Sequence, residues 1–360
     1  MAGKPSHVTI RDIARQAGVS VATVSRYING SAPVSPQVAE RLGRVMAATR
    51  YVPLAAARDL ASRRTRMIGL LVSHLDNDFF APLLAGIEGV VQAEAYNLLV
   101  ATSRPRREHA APAIGPHNTD GMIVFADSLS DEELASVHGS GFPLVLVHRT
   151  PPASLPIPFV TVENKRATQS IVDHLIDVHG KRDILFLRGP AQQEDAYWRE
   201  VGYRASLEGH RIPFQSSLML NGEFEREIAH HAVRDFLADG HPPFDAIFAG
   251  DDHAATGVIQ ALRDKGLRVP EDFPVVGFDD QSLSAFVAPP LTTVRAPTRE
   301  VGRVAARQLF NLLVDRPVER EILLPTEIVI RRSCGCPYGE PAQGRGGEPA
   351  ERPGIGRPST

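Results

Sequence analysis

The feature that most constrains this chain is a long alternation of short apolar runs with amphipathic stretches, beginning at residue 67. Strands are expected at "MIGLLV" (67–72), "YNLLVAT" (96–102), "GMIVF" (121–125) and "PLVLVH" (143–148). Further ones are expected at "RDILFLRG" (182–189), "FDAIFAG" (244–250) and "FPVVGFD" (273–279). Helical patterns lie between most of them, over 164–179, 197–209, 223–239 and 252–265. Strand-length apolar runs separated by helices imply parallel sheets covered on both faces. The series is too long for one comfortable sheet. It divides near "FVTVEN" (159–164) into two doubly wound lobes. Ligands of such folds sit beyond the carboxyl ends of the strands, often between lobes.

Residues 8–50 hold no convincing strand and fit three helices. Thr9 stands three residues before Asp12, the spacing of a capping box. Ile10, Ile13, Ala14 and Ala17 then share one face, and Gly18 supplies the break. Ser20 caps a second helix with Val24, Tyr27 and Ile28 inward and Asn29-Gly30 at its end. Ser35-Pro36 opens a third, whose buried stripe is Val38, Leu42, Val45 and Met46.

A tight helix-turn-helix needs a small residue where two helices approach, a glycine in the turn and an apolar lock on the second helix. Ala14, Gly18 and Val24 stand at offsets 0, +4 and +10. Net charge over the whole chain is −3, but residues 1–66 carry eleven Lys/Arg against three acids, net +8, which leaves −11 on the remainder. A basic head on an acidic body, together with this spacing, favours a DNA reader over a plain helical hairpin. The second helix would enter the major groove N-terminus first, with Val21, Ala22, Ser25 and Arg26 outward. Arg26 suits two hydrogen bonds to a guanine, or a phosphate contact. Val21 and Ala22 have no polar atoms and specify only through thymine methyls and exclusion. Thr23 suits a phosphate.

No apolar signal region opens the sequence and no run of eighteen apolar residues occurs, so neither secretion nor membrane spanning is expected. The two cysteines, Cys334 and Cys336, form one C-x-C. That is half a tetrahedral zinc site, and no second cysteine pair exists. They are read as free thiols in a reducing cytosol, with no metal or cofactor expected. The last residues, 337–360, are rich in Pro, Gly and charge, and disorder is expected there.

The stretch "VTIRDIARQAGVSVATVSRYINGSAPVSPQVAERLGRVMAATRYVP" resembles the headpiece of the lactose-repressor (LacI/GalR) family of bacterial transcription regulators. The resemblance continues through "FFAPLLAGIEGVVQAEAYNLLVA", "WREVGYRASL", "FDAIFAGDDHAATGVIQALRDKGLRVPEDFPVVGFDD", "PPLTTVRAPTREVGR" and "EIVIRRS". It implies an all-α helix-turn-helix headpiece (1–52), a hinge helix or linker (53–66) and an α/β two-lobed periplasmic-binding-protein-like (type I) sensor (67–336). The first lobe would take about 67–161 and 292–321, the second about 162–291 and 322–336. The function implied is a cytoplasmic, nucleoid-associated, sequence-specific regulator, a repressor above all. Its partners would be a palindromic operator in double-stranded DNA, a second copy of itself and a small-molecule effector, a sugar or sugar derivative. No leucine follows Leu324, so leucine heptads cannot make a tetramer and a homodimer is expected.

Carried onto this sequence, the DNA contacts fall on Thr9, Ser20, Val21, Ala22, Thr23, Ser25, Arg26 and Asn29. Leu60 matches a leucine that wedges into the minor groove, although a packing role in the linker would also suit it. Leu54 replaces the usual asparagine after Pro53, which weakens a hinge N-cap. Effector positions fall on Phe79, Phe80, His148, Arg199, Gly250, Asp251 and Asp279. Arg199 and Asp279 offer a donor fork and an acceptor, or merely a surface ion pair. Phe79 and Phe80 suit the apolar face of a ring, or the core. His148-Arg149 stands where the family usually has Asp-Arg, and His148 fits either the cleft or a structural role. Gly250 stands where an Asn often precedes Asp251. The segment "SRPRREHAAPAIGPHN" (103–118) replaces a full family helix with a proline-broken piece, so an irregular or shortened element is expected.

Two other classes compete. A sugar-transport binding protein would need a signal peptide and no basic head. An enzyme on an α/β fold would need a P-loop, G-x-S-x-G or H-E-x-x-H, none of which occurs.

Overall fold

The computed structural model describes residues 8–29, 32–49, 51, 64–75, 78–103 and 113–337. The first unit is the expected trio of helices, α1 (Ile10–Ala17), α2 (Val21–Asn29) and α3 (Pro36–Thr49). Thr9 and Asp12 form a complete capping box on α1, and Gly18 ends that helix at φ 63°. Ser20 Oγ accepts from Thr23 N at 3.1 Å and so caps α2. Ile13, Ala14, Ala17, Val24 and Leu42 close a small core, with Tyr27, Val38, Val45 and Met46 against it.

Beyond Thr65 two parallel sheets follow. The first contains β1 (Met67–Val72), β2 (Asn97–Thr102), β3 (Gly121–Phe125), β4 (Leu144–Val147), β5 (Phe159–Val162) and β11 (Glu321–Leu324). Its spatial order is β11-β5-β4-β3-β1-β2. The second contains β6 (Ile184–Arg188), β7 (Met219–Asn221), β8 (Ala246–Ala249) and β9 (Val275–Val276) in the order β7-β6-β8-β9. Each is a doubly wound arrangement whose connections diverge from its first strand, so each lobe has a crevice at the carboxyl end of that strand. A two-stranded antiparallel pair, β10 (Thr293–Arg295) with β12 (Glu327–Val329), completes the strands.

Helices α4 (Phe80–Ala93), α5 (Asp131–Gly139) and α10 (Thr298–Leu313) accompany the first sheet. Helices α6 (Lys165–Asp177), α7 (Glu194–Gly209), α8 (Arg226–Ala238) and α9 (Asp252–Asp264) accompany the second. Neighbouring helices meet backbone to backbone through glycine. A Cβ on Gly86 of α4 would lie 2.0 Å from Arg299 O of α10, and one on Gly202 of α7 would lie 2.3 Å from Lys165 O of α6. One on Gly257 of α9 would lie 2.0 Å from Arg226 O of α8. The chain enters the first lobe through a clamp: Thr65 N and Oγ1 donate to Asp120 Oδ1 at 2.6 and 2.8 Å, and Arg66 N donates to Oδ2 at 3.1 Å.

Two expectations change and a third gains detail. Residues 322–324, expected in the second lobe, belong to β11, which pairs with β5 in the first sheet. Placing Ile322 and Leu324 against the first-lobe core delays the return crossing until after Leu324. The strand expected over 273–279 shrinks to Val275–Val276, because beyond it the backbone leaves β8 and Gly277 N and Asp279 N donate to Thr292 O and Val294 O. In the proline-broken segment the described residues 113–118 are bends and turns, as expected, but they are not idle. Ile114 is buried and packs on Gly69, where a Cβ would lie 2.2 Å from Ile114 Cγ2. Leu60, most of the hinge and all of the tail beyond Pro337 lie outside the described residues.

Candidate functional site

The carboxyl ends of both sheets face one cleft, where His74, Phe79, Phe80 and Phe125 of the first lobe meet Asp195, Arg199, Phe224, Asp251 and Asp279 of the second. The cavity volume between them is about 70 Å³, smaller than an ordinary small-molecule site, so the walls stand close together. Position along the fold explains the set. His74, Phe79 and Phe80 follow β1 and Phe125 ends β3, whereas Asp251 follows β8 and Asp279 follows β9.

The first-lobe wall is aromatic. Phe79, Phe80 and Phe125 stand with ring centroids 5.1–5.6 Å apart. Phe80 is buried and belongs to the core as well as to the cleft, while Phe79 is half-buried. The two roles open for these rings in the sequence are therefore both occupied by Phe80.

The second-lobe wall is built around one buried cation. Arg199 is 2% exposed. Its Nε donates to Asn164 Oδ1 at 2.9 Å, Nη1 to Gly250 O at 2.6 Å and Nη2 to Asp279 Oδ1 at 2.9 Å. The guanidinium lies 3.8 Å from the Phe278 ring centroid and 5.2 Å from that of Phe224. This is no surface ion pair. Such a fork fixes the acceptors around it more than it waits for a ligand.

The acids differ in state. Burial pushes Asp279 up, against the opposing pull of Arg199. Burial would also raise Asp195, but His148, Arg199 and the Asn164 amide outweigh it and hold that carboxyl below its ordinary range. Burial and then the nearby Asp279 push Asp251 up to about 7, against the hydrogen bond it accepts from Ala254 N. Asp251 therefore exchanges a proton near neutrality and can donate or accept. Asp252 is not a cleft residue. Its carboxyl receives Gln281 N, Ser284 Oγ and Thr293 Oγ1, which ties the loop after β9 to α9.

His148 sits behind the cleft rather than in it. It is 3% exposed at φ 58°, and its Nδ1 lies 2.7 Å from Asp195 Oδ2, outside good hydrogen-bond direction. Its Nε2 is buried without a hydrogen-bond partner. It helps to hold Asp195 low, and its ring lies 5.6 and 5.5 Å from those of Phe79 and Phe125 in the cleft wall. Gly250 is explained by space. A Cβ there would lie 2.8 Å from Leu187 O and 3.0 Å from Phe224 Cε1, so no asparagine fits beside this phenylalanine.

Asp195, Asn164, Phe125 and Phe224 were not singled out by sequence. Asn164 Nδ2 donates to Asp195 Oδ1 at 2.8 Å across 31 residues. Phe224, at φ 56°, lies over Gly189, where a Cβ would be 2.1 Å from its Cζ. The paired glycines, Gly189 and Gly250, are the signal that could have pointed to a large ring there.

On the headpiece, Val21, Ala22 and Arg26 are exposed at the surface of α2 while Val24 is fully buried. Thr9 is engaged with Asp12, its Oγ1 donating to Asp12 Oδ2 at 2.7 Å. Ser20 and Thr23 share a hydroxyl–hydroxyl bond of 2.9 Å at the start of α2. Ser25 is half-buried, and Asn29 closes α2.

Residues 9–53 match the model of bacterial regulatory proteins of the lacI family, and residues 172–334 match a periplasmic binding protein-like domain. Catabolite control protein A of Priestia megaterium is 33% identical over 332 residues, covering 91% of this chain and 99% of the relative. The chain belongs to the LacI family. The ribose operon repressor of Haemophilus influenzae is 32% identical over 90% of this chain and 98% of its own length. A Lac repressor dimer bound to operator and the anti-inducer ONPF superposes with a TM-score of 0.76 at 26% identity, covering 91% of this chain and 99% of that one. The regulator CelR in complex with cellobiose gives 0.65 at 28% identity, covering 91% and 99%. As a LacI-family member the protein is a DNA-binding transcription regulator, and the enzyme and transport readings fall away. Among the described residues no helix is long and apolar enough to cross a membrane.

Proposed function

We propose that this regulator is a homodimeric repressor of a palindromic operator, controlled by a sugar or sugar derivative bound between its lobes. It acts in the cytoplasm, on the nucleoid. The observation that carries the reading is that one cleft is walled by aromatic rings from the first lobe and by buried acids and Arg199 from the second. Rings suit the apolar face of a pyranose or furanose, and carboxylates accept from hydroxyls. A ligand touching both lobes favours one relative disposition and so shifts the equilibrium by its differential affinity. Reading of DNA falls to the N-terminal end of α2, with Arg26 as its polar base contact and Leu60 as wedge at the operator centre.

The test is a thermal-shift screen of the full chain against sugars, sugar phosphates and nucleosides, followed by anisotropy titration on the upstream region of its own operon. One class of polyhydroxylated ligand should raise Tm. Asp279→Asn should keep strongly salt-dependent operator binding and lose that stabilisation. Stabilisation by nucleosides alone, or an Asp279→Asn variant that still responds fully, would overturn the sugar assignment.

A further inference from the structure

The fold brings together four metal-ligating side chains that lie far apart in sequence. His174 lies in the last turn of α6 and His179 just beyond that helix. Cys334 and Cys336 lie in the turn beyond β12. One ligand atom from each of the four falls within 4.8 Å of all the others. The C-x-C, taken alone, is half a site; the two imidazoles are the other half.

The distances suit a specific ion. Zinc takes sulfur at about 2.3 Å and imidazole nitrogen at about 2.0–2.1 Å, so a tetrahedron has S···N edges of about 3.6 Å. Cys336 Sγ lies 3.4 Å from His179 Nε2 and 3.7 Å from His174 Nε2. The two rings meet edge to face at 77°, with centroids 5.0 Å apart. A single thiol–imidazole hydrogen bond would account for one sulfur and one ring, not for two of each. Gly335, at φ 101°, folds the C-x-C tightly, and a Cβ there would lie 3.5 Å from His179 Cε1. Around Cys334, Thr292 Oγ1 donates to Sγ at 3.1 Å and Sγ lies 3.6 Å from Arg331 O, which fixes the sulfur in place. Cys334 is buried and the other three are half-buried, so an ion has a path in from solvent.

We propose that His174, His179, Cys334 and Cys336 bind one zinc ion in a closed tetrahedral site. The two thiols lose their protons to solvent on binding, and the two imidazoles ligate neutral. Four protein ligands leave no open position, so the site is structural rather than catalytic. It fastens the end of α6 to the residues beyond β12 and closes the sensor body independently of the effector cleft. The N₂S₂ donor set selects zinc over magnesium or calcium.

The experiment uses the full chain, reduced with a phosphine and stripped with a chelator. Zinc is titrated and counted by mass spectrometry, and cobalt serves as the optical probe. One zinc per protomer should be retained through desalting, and Tm should rise on its addition. Cobalt should give the intense visible bands of a tetrahedral ion and a thiolate charge-transfer band. Cys336→Ser and His179→Gln, checked for folding by circular dichroism, should each lower zinc affinity at least tenfold and weaken those bands. Substoichiometric zinc, weak octahedral cobalt bands, fewer than two titratable thiols in the metal-free reduced protein, or undiminished binding in both variants would overturn the proposal. Should both variants fail to fold, the cobalt spectrum of the unaltered chain decides.

Discussion

Replacing Asp251 with asparagine should stabilise the ligand-free protein in a way that depends on pH. Asp251 is buried beside Asp279, which together push it up to about 7 from an ordinary 3.8. In the unfolded chain it titrates near the ordinary value. Below that pH both states hold the proton and the residue adds no pH dependence. Between 3.8 and about 7 only the folded state holds it. Fewer protons on the unfolded state mean that stability falls as pH rises, until the folded state also ionises. Each pKa unit is worth about 1.4 kcal/mol, so the gap sets an upper limit of about 4 kcal/mol on the loss. Asparagine retains an Oδ1 to accept from Ala254 N, the 2.8 Å bond that caps α9, and never ionises. Urea unfolding of Asp251→Asn and the unaltered chain, in parallel from pH 4 to pH 8, reads the difference directly. That difference should be near zero at the acid end and reach roughly 2–4 kcal/mol in favour of asparagine at the other. A difference that stays flat with pH, or a variant less stable at pH 8, would refute the reasoning.

Two further outcomes are expected. Gly250→Ala should cost roughly 1–3 kcal/mol in thermal or denaturant unfolding, because its Cβ meets backbone as well as Phe224; an unchanged Tm would show that the loop yields. Arg26→Ala should weaken operator binding by roughly 1–3 kcal/mol and relax selectivity at one base position; equal weakening on all sequences in anisotropy titrations would make Arg26 a phosphate contact.

Local chemistry was legible in the sequence. Thr9, Asp12 and Gly18 act over three to nine residues, so α1 and its turn could be placed from spacing alone. Buried strands such as Met67–Val72 announce themselves by unbroken apolar runs. What stayed hidden depends on contact between distant segments. Asp195 pairs with Asn164 across 31 residues and Cys336 meets His174 across 162, distances at which no spacing rule operates. Arg199 was found only through resemblance, and its burial, which turns a surface ion pair into a scaffold, cannot be seen in "WREVGY". His148 was placed at the border of the cleft through resemblance, and its contacts with Phe79, Phe125 and Asp195 again join segments too far apart for spacing to show.

The glycine contacts between helices have a mechanical consequence. Side chains can slide past one another by changing rotamer, but a backbone seated on a backbone cannot. Gly86, Gly202 and Gly257 therefore make each lobe behave as a stiff plate. A tilt of such a plate at the cleft would carry the opposite rim with it. In the first lobe that rim is where Asp120 grips Thr65 and Arg66, at the near end of β1. The arm is the length of a six-residue strand, about 20 Å. The chain thus holds a lever whose load end is the segment arriving from the headpiece.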